Sequence, residues 1–260
     1  MGVIGRYYGP IGTSSLAVAA PVWNLTFTIG ILFGLGGAIS FTKMKAESLE
    51  NSKRANEIFT ISIILVLFFG ILLFLACLLF EDQILYFFGA DDATLPIAKE
   101  YLKVLRFAIP FFGFNEVLSS FIRNDNRPLL TTLAVGFAGI FNIGGDFILI
   151  FRFDMGANGS GTASACGAFV ATLILLTHFL SKKNTIRLAF PKHFIVDTWN
   201  TIKNGFASAF ADFAMGIVTI IFNNQLKIEI SEFNANELEF NKIQSSKIQL
   251  EKIKIEEIYV

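Results

Sequence analysis

The chain has 260 residues, 53% of them hydrophobic and 16% charged, and its 21 Lys and Arg balance its 21 Asp and Glu. With 30 Phe residues it is too apolar for an ordinary soluble domain, and its zero net charge does not indicate a nucleic-acid partner. Several apolar runs reach the roughly 18 residues that a helix needs to cross a bilayer, and the weak alternation of a membrane β-barrel is absent from the sequence. We therefore predict an all-α polytopic helix bundle in the lipid bilayer.

Charged or turn-forming stretches divide the apolar sequence into six predicted spans. These cover approximately residues 16–42, 56–80, 100–122, 129–152, 159–181 and 204–226. Most Lys and Arg residues fall in the connecting loops at 43–54, 123–127 and 182–203. Because basic loops stay on the cytoplasmic side, these loops are predicted to be cytoplasmic, in a multi-pass protein of the cytoplasmic membrane. Both ends of the chain are then expected on the outer side.

Small residues are frequent within the predicted spans. They include Gly30, Gly34, Gly36 and Gly37 in the first span and Gly136, Gly139, Gly144 and Gly145 in the fourth. Since small residues let helices approach closely in lipid, we predict close helix contacts at these positions; the alternative is that they line a cavity. Residues 227–260 have a different composition, without Gly or Pro and rich in Ile, Lys, Glu and Asn. We predict a bundle over residues 1–226 and a charged tail over 227–260 that is disordered or marginally helical.

Two polar residues lie four positions apart in the fourth span, Asn142 and Asp146. On a helix this spacing places them on one face. An amide oxygen and a carboxylate one turn apart can provide ligands for a monovalent cation such as Na⁺, and the carboxylate could instead carry a proton. The alternative is a structural hydrogen bond between helices. Because ionisable groups within spans usually serve ions or substrates, we favour the functional interpretation for Asp146.

Two further acids lie inside predicted spans, Glu116 in the third and Asp212 in the sixth. Asp212 stands among small residues that could leave space around it, so it is a candidate for a cavity or proton site. Glu116 is near a span end and could reach interfacial water instead. Ser164 is a hydroxyl in a small-residue span and means little alone, because such hydroxyls usually bond to their own helix.

Motifs of enzymes and of cofactor sites are missing from the sequence. It has two histidines and no HExxH, GxSxG or P-loop motif. The glycine-rich stretch at 33–40 lies within a span and follows no strand, so it does not match a nucleotide-binding fingerprint. We predict that the protein is not an enzyme and has no cofactor.

The ordered motifs of residues 101–165 resemble those of the multidrug and toxic compound extrusion (MATE) transporters. They are a Pro-containing span, an Ile-Arg-Asn-Asp turn, Asn-x-x-x-Asp in the next span and a small-residue Met-Gly-x-x-Gly segment. PVWNLTFTIGILFGLGGAIS resembles the family's second span and NGFASAFADFAMGIVTIIFNNQL its seventh. The resemblance covers approximately residues 3–226.

The resemblance implies a cation-coupled antiporter. MATE transporters have twelve spans in two six-span lobes around a central cavity, and they export cationic or amphipathic compounds in exchange for Na⁺ or H⁺. This chain would then carry spans two to seven, with the second lobe missing, and we expect such a truncated chain to be inactive alone.

The resemblance also assigns residues to roles. Asn142 and Asp146 match the family's cation-site Asn and Asp, Ser164 stands where some members have a Thr ligand, and Asp212 matches a position that is often acidic. The family's functional Asp of span one would precede Met1. Two other interpretations stay open, a lipid-linked oligosaccharide flippase of the same superfamily and a non-functional membrane fragment. The flippase would need a large cationic cavity for a pyrophosphate.

Overall fold

The computed structural model describes residues 2–47, 51–222 and 225, and within these ranges it contains helices and no strand. The α-helices are α1 Gly2–Tyr8, α2 Pro10–Glu47, α3 Asn51–Leu79, α4 Glu81–Phe87, α5 Leu95–Leu105, α6 Ile109–Asn124, α7 Pro128–Asp146, α8 Gly156–Leu176 and α9 Phe194–Phe222. Short 3₁₀ turns follow α5 and α8, at Arg106–Ala108 and Thr177–Leu180. The predicted all-α class is confirmed.

Five helical stretches among the described residues are long and apolar enough to cross a membrane. They are α2, α3, α7 with the residues after it, α8 with its 3₁₀ turn, and α9. The predicted third span, 100–122, instead coincides with α5, a 3₁₀ turn and α6. Pro110 lies in the first turn of α6. Proline is well tolerated there because the first N–H groups of a helix have no partner within it.

Helix α7 passes directly into a π-helical segment, Phe147–Arg152. The predicted span at 129–152 therefore has two kinds of helix, and Asp146 lies at the change between them. A π-helical segment widens the helix and often marks a functional site. The apolar pattern of the sequence does not reveal the change from α-helix to π-helix, because apolar residues continue through both segments.

The glycines of α2 make the close contacts predicted for them. A Cβ added at Gly36 would lie 2.1 Å from the carbonyl oxygen of Thr201, and one added at Gly34 would lie 3.0 Å from Cα of Val117. On α7 the prediction is wrong at three glycines: added Cβ atoms at Gly136, Gly139 and Gly144 would meet no atom within 4 Å. There the missing side chains leave open space beside the helix.

Helix α2 packs on α3 and α6, and α8 packs on α5 and α7. The largest core cluster joins α2, α3 and α6, where Phe121 makes edge-on contacts with Phe41 and Phe59 at ring-centre distances of 5.4 and 5.0 Å. Aromatic pairs favour this edge-to-face geometry. Ala134 of α7 and Ala171 and Leu175 of α8 belong to the same cluster, so α7 and α8 pack beside these three helices.

The three basic loops predicted to be cytoplasmic meet at one end of the bundle. Lys45 of the first contacts Asp125 of the second, which also contacts Thr185 of the third. Contacts divide the chain into Met1–Ile217 and Val218–Val260. The predicted boundary at residue 226 and the tail at 227–260 lie outside the described residues.

Candidate cation and substrate site

A cavity of about 470 Å³ opens between α2, α5, α6, α7 and α8. Its volume falls in the range of small-molecule binding sites. It is lined by Trp23, Phe27, Tyr101, Phe112, Asn115, Glu116, Ser119, Ala134, Val135, Ala138, Gly139, Asn142, Ser164, Gly167, Ala168, Ala171 and Leu175. The missing side chain of Gly139 helps keep this space open.

Two of the predicted site residues, Asn142 and Ser164, meet on the wall of this cavity. Nδ2 of Asn142 donates a hydrogen bond of 2.8 Å to Oγ of Ser164, which joins α7 to α8. The helices come close here because Gly167 is small: a Cβ at that position would lie 2.8 Å from the carbonyl oxygen of Ala138. The Asn142 amide and the Ser164 hydroxyl therefore meet at the cavity wall, with the amide nitrogen directed at the hydroxyl oxygen.

Asp146 lies one turn further along α7 and is half-buried. Its Oδ1 atom is buried and has no hydrogen-bond partner among the described residues. A buried carboxylate oxygen without a partner is costly, because it has lost water and gained nothing in return. Asp146 does not contribute to the wall of the cavity described above. The sequence pattern placed it on the same helix face as Asn142, but of the two residues Asn142 lines the cavity and Asp146 does not.

The other two predicted acids have different surroundings. Glu116 lines the cavity from α6, and its Cβ packs against Gly30 of α2. Asp212 of α9 accepts a 2.6 Å hydrogen bond from Oγ1 of Thr28 on α2 and is not part of the cavity wall. Glu116 thus reaches the candidate substrate space, whereas Asp212 joins two helices.

An aromatic group on the cavity wall is absent from the sequence-based predictions. Nε1 of Trp23 donates a 3.0 Å hydrogen bond to the hydroxyl of Tyr101. The ring of Trp23 stacks near Phe27 and contacts Phe112 edge-on, with a centroid distance of 4.0 Å to the latter. Aromatic faces attract cations, especially that of Trp. These residues lie in three helices far apart in sequence, so no local motif marks them.

Asn115, also on the wall, holds α6 to α8. Its Nδ2 donates to the carbonyl oxygen of Ala168 at 2.8 Å, and its Oδ1 accepts from the hydroxyl of Thr172 at 2.8 Å. Both of its polar groups are engaged in bonds between helices, so Asn115 shapes the cavity.

Asp125 is the centre of a buried polar cluster at the end where the basic loops meet. It accepts hydrogen bonds from Nζ of Lys45 at 3.0 Å, from Nε2 of His178 at 2.9 Å, and from the backbone N–H and hydroxyl of Thr185. Burial by itself would raise the pKa of the Asp125 carboxyl, but the hydrogen bonds from Thr185, Lys45 and His178 outweigh it and hold that pKa below its usual value. The cluster joins the end of α2, the turn before α7 and the segment after α8.

Comparison with known proteins identifies a family. The family model MatE matches residues 1–148, more than half of the chain. The multidrug export protein MepA of Staphylococcus saprophyticus subsp. saprophyticus is 25% identical over 232 residues, which are 85% of this chain and 50% of that protein. MepA of Staphylococcus aureus strain MSSA476 is 25% identical over 214 residues, 81% of this chain and 47% of that protein. The chain spans about half the length of the curated relatives it matches.

Solved structures share the fold. The inward-facing conformation of a multidrug resistance MATE family transporter of the MOP superfamily superposes with a TM-score of 0.76 at 20% identity, covering 84% of this chain and 50% of that chain. The MATE multidrug transporter DinF-BH in complex with R6G gives a TM-score of 0.67 at 21% identity, covering 84% and 54%. The helix arrangement described above is therefore that of one part of a larger transporter fold.

Proposed function

This chain belongs to the MatE family, and from that premise we propose that it forms the N-terminal lobe of a cation-coupled multidrug antiporter of the cytoplasmic membrane. The cavity beside α7 and α8 takes cationic or amphipathic compounds, and the polar group at the end of α7 takes Na⁺ or H⁺. The lobe works with a second six-helix lobe, and it is a transporter rather than an enzyme. The observation that carries the proposal is the composition of the cavity wall, which includes several aromatic rings and one acidic side chain.

The chemistry of the wall supports a cationic substrate. Among the residues that line the cavity, Glu116 is the one with a charged side chain, and it is acidic. Trp23, Phe27 and Phe112 offer ring faces and edges next to it. A lipophilic cation gains from both features, since its charge is attracted by the carboxylate and by the aromatic faces while its apolar body leaves water.

The same wall argues against the flippase alternative. A lipid-linked pyrophosphate carries negative charge, and its site would need Arg or Lys side chains directed into the cavity. The described residues around this cavity include neither type. Placing a pyrophosphate beside Glu116 would bring like charges together in a medium that screens poorly.

The orphan oxygen of Asp146 supports a coupling-ion site. A cation or a proton would satisfy this buried Oδ1, which has no donor among the described residues. Asn142 and Ser164, whose side chains meet one turn earlier on α7, are the residues that we expect to supply further oxygen ligands to a Na⁺ ion. A coupling ion changes the balance between conformations only through its different affinity for them. The site at the junction of the α- and π-helical segments is suited to this, since a helix irregularity is where a span can bend.

Proteoliposomes give the direct test of transport. We propose that the 260-residue chain, reconstituted alone, does not transport R6G in exchange for Na⁺ or H⁺ when a gradient of that ion is imposed, because a central site between two lobes needs both. The chain combined with the C-terminal half of a MepA relative is expected to restore movement. Coupled transport by the chain alone would refute the requirement for a second lobe.

Binding of R6G separates a functional lobe from an inert fragment. The purified chain in detergent is expected to bind the dye, detected by fluorescence polarisation, with weaker binding by Glu116→Gln. A neutral dye of similar size serves as the control and should be insensitive to this change. Absence of dye binding, or equal binding by both forms, would support the fragment interpretation and refute the substrate site.

A further inference from the structure

We propose that Glu57, His193 and Asp197 form a binding site for a first-row divalent transition metal ion, specifically Zn²⁺, at the end of the bundle where α3 and α9 begin. One carboxylate oxygen of each acid and a ring nitrogen of His193 lie within 4.8 Å of one another. The site is separate from the cavity and from Asp146, so it does not depend on the function proposed above.

Three parts of the fold bring the ligands together. Glu57 is in the first turns of α3, His193 immediately precedes α9, and Asp197 lies in the first turn of α9. His193 and Asp197 are four residues apart, which is about one helical turn, and the N–H of Asp197 bonds to the carbonyl oxygen of His193 at 3.0 Å. The two side chains therefore lie on the same side of the helix start.

The segment before α9 holds Glu57 in place. Backbone N–H groups of this segment bond to side chains of α3: Arg187 to Asn56 Oδ1 at 2.9 Å, and Lys192 to Glu57 Oε2 at 3.0 Å. The same Oε2 atom is 3.9 Å from Nδ1 of His193. The hydrogen bond from Lys192 thus directs the Glu57 carboxylate toward His193. Glu57 could keep this bond while it binds a metal ion, since carboxylates that bind metals are normally hydrogen-bonded as well.

Asp197 supplies a second, independent observation that favours a cation at this position. Its side chain is fully buried, and Oδ1 is paired with Nη2 of Arg54 at 2.8 Å. Its other oxygen, Oδ2, is also buried and has no hydrogen-bond partner among the described residues. Arg54 therefore serves one carboxylate oxygen and leaves the second, and a metal ion bound by that second oxygen would remove the cost of burying it without a partner.

The donor set favours Zn²⁺ over the hard cations. Zn²⁺ accepts both imidazole nitrogen and carboxylate oxygen as ligands, whereas Mg²⁺ and Ca²⁺ prefer oxygen alone. Ligand atoms around a tetrahedral zinc ion stand about 3.4 Å apart, given bonds of about 2.1 Å. The 3.9 Å between His193 and Glu57 needs a small closure, and the His193 side chain, which is 56% exposed, is free to make it. Its exposure also gives the ion a path from water.

A metal ion here would act as a clasp. It would join the start of α3 to the start of α9, with the 187–192 segment already bound along α3 between them. Binding that requires all three ligands stabilises the arrangement in which they meet.

The test uses the purified full chain in detergent, stripped of metal and titrated with Zn²⁺ against a chromophoric zinc indicator. We expect one Zn²⁺ per chain, with affinity lowered at least ~10-fold by His193→Ala and by Glu57→Gln. The amide of Glu57→Gln can still accept the Lys192 N–H, so this variant preserves the fold. His193→Cys should restore binding because a thiolate also ligates zinc. Lys192→Ala is the matched control and keeps its backbone N–H.

Several results would overturn the site. These are absence of a stoichiometric Zn²⁺, equal affinity in wild type and His193→Ala, or an equal loss of affinity in Lys192→Ala. Thermal denaturation provides a second readout: Zn²⁺ should raise the midpoint of wild type and leave that of His193→Ala unchanged. Equal shifts in both proteins would show that the ion binds elsewhere.

Discussion

Replacing Asp125 with Ala is expected to destabilise the protein strongly, because this carboxylate is the shared acceptor of a buried cluster. Its side chain is 1% exposed, and it receives hydrogen bonds from Lys45, His178 and Thr185. The substitution leaves the fully buried Nε2 of His178 and the backbone N–H of Thr185 without an acceptor. Lys45 loses less, because about a third of its side chain is already in water.

The size of the effect follows from these partners. Removing one member of a buried charged pair costs about 3–5 kcal/mol, and leaving a buried polar group without a partner costs about 1–3 kcal/mol. Since Lys45 can turn to water, we expect a total of about 3–5 kcal/mol for Asp125→Ala. For a chain of this length that corresponds to a fall in melting temperature on the order of 10 °C.

Thermal denaturation in detergent, followed by near-ultraviolet circular dichroism, measures the change. The matched control is Asp82→Ala, which removes an acid from an ion pair with Lys99 whose side chains are 50% and 40% exposed. Exposed pairs contribute little, so this control should melt close to wild type. If Asp125→Ala melts together with Asp82→Ala, the cluster does not hold the loops together and the reasoning is refuted.

Three further predictions follow from the same structure. The pKa of Asp125 is lowered in the folded state, so the stability that its carboxylate contributes should be fully present above the unfolded pKa of about 4 and be lost as the pH falls through the lower folded pKa. The difference in stability between wild type and Asp125→Asn should therefore be constant from about pH 5 upward and shrink in acid. A difference that grew in acid would contradict the direction of the pKa shift. Gly205→Ala should destabilise the folded protein by about 1–3 kcal/mol, because the new Cβ would lie 2.2 Å from the carbonyl oxygen of Leu32 and push α9 away from α2. Gly136→Ala is the control: its Cβ meets open space, so in the same melting assay the change should be neutral or slightly stabilising. Trp23→Leu should weaken binding of a cationic dye by about 1 kcal/mol, or roughly fivefold, in a polarisation assay, and it should leave binding of a neutral dye unaffected. Equal losses of affinity for both dyes would show that Trp23 makes no cation–π contribution.

Much of the helical architecture could be predicted from the sequence, because long apolar runs have one solution in lipid. The same holds for part of the site. Asn142 and Asp146 were one turn apart by number alone, and Ser164 was singled out through the family resemblance. Its bond to Asn142 across the α7–α8 contact could not be derived from spacing.

The rest depends on contacts between distant residues. Asp146 is not among the residues that line the cavity, and the π-helix that begins directly after it leaves no trace in the apolar pattern. Open space beside Gly139 contradicts the close packing expected of it, since a glycine permits contact but does not ensure a neighbour. Glu57 and Asp197 are far apart in the sequence and come close together only in the folded chain, so neither could be recognised from the sequence as part of a cluster.

We propose that Asp146 binds the coupling cation or proton, and infrared difference spectroscopy of the purified chain can detect this binding. A step in Na⁺ concentration or in pH should produce a carboxyl band that disappears in Asp146→Asn and changes in Asn142→Ala, while Asp154→Asn, at the opposite side of the π-helical segment, retains it. If the band persists unchanged in Asp146→Asn, the ion is bound elsewhere and Asp146 is not the coupling-ion site.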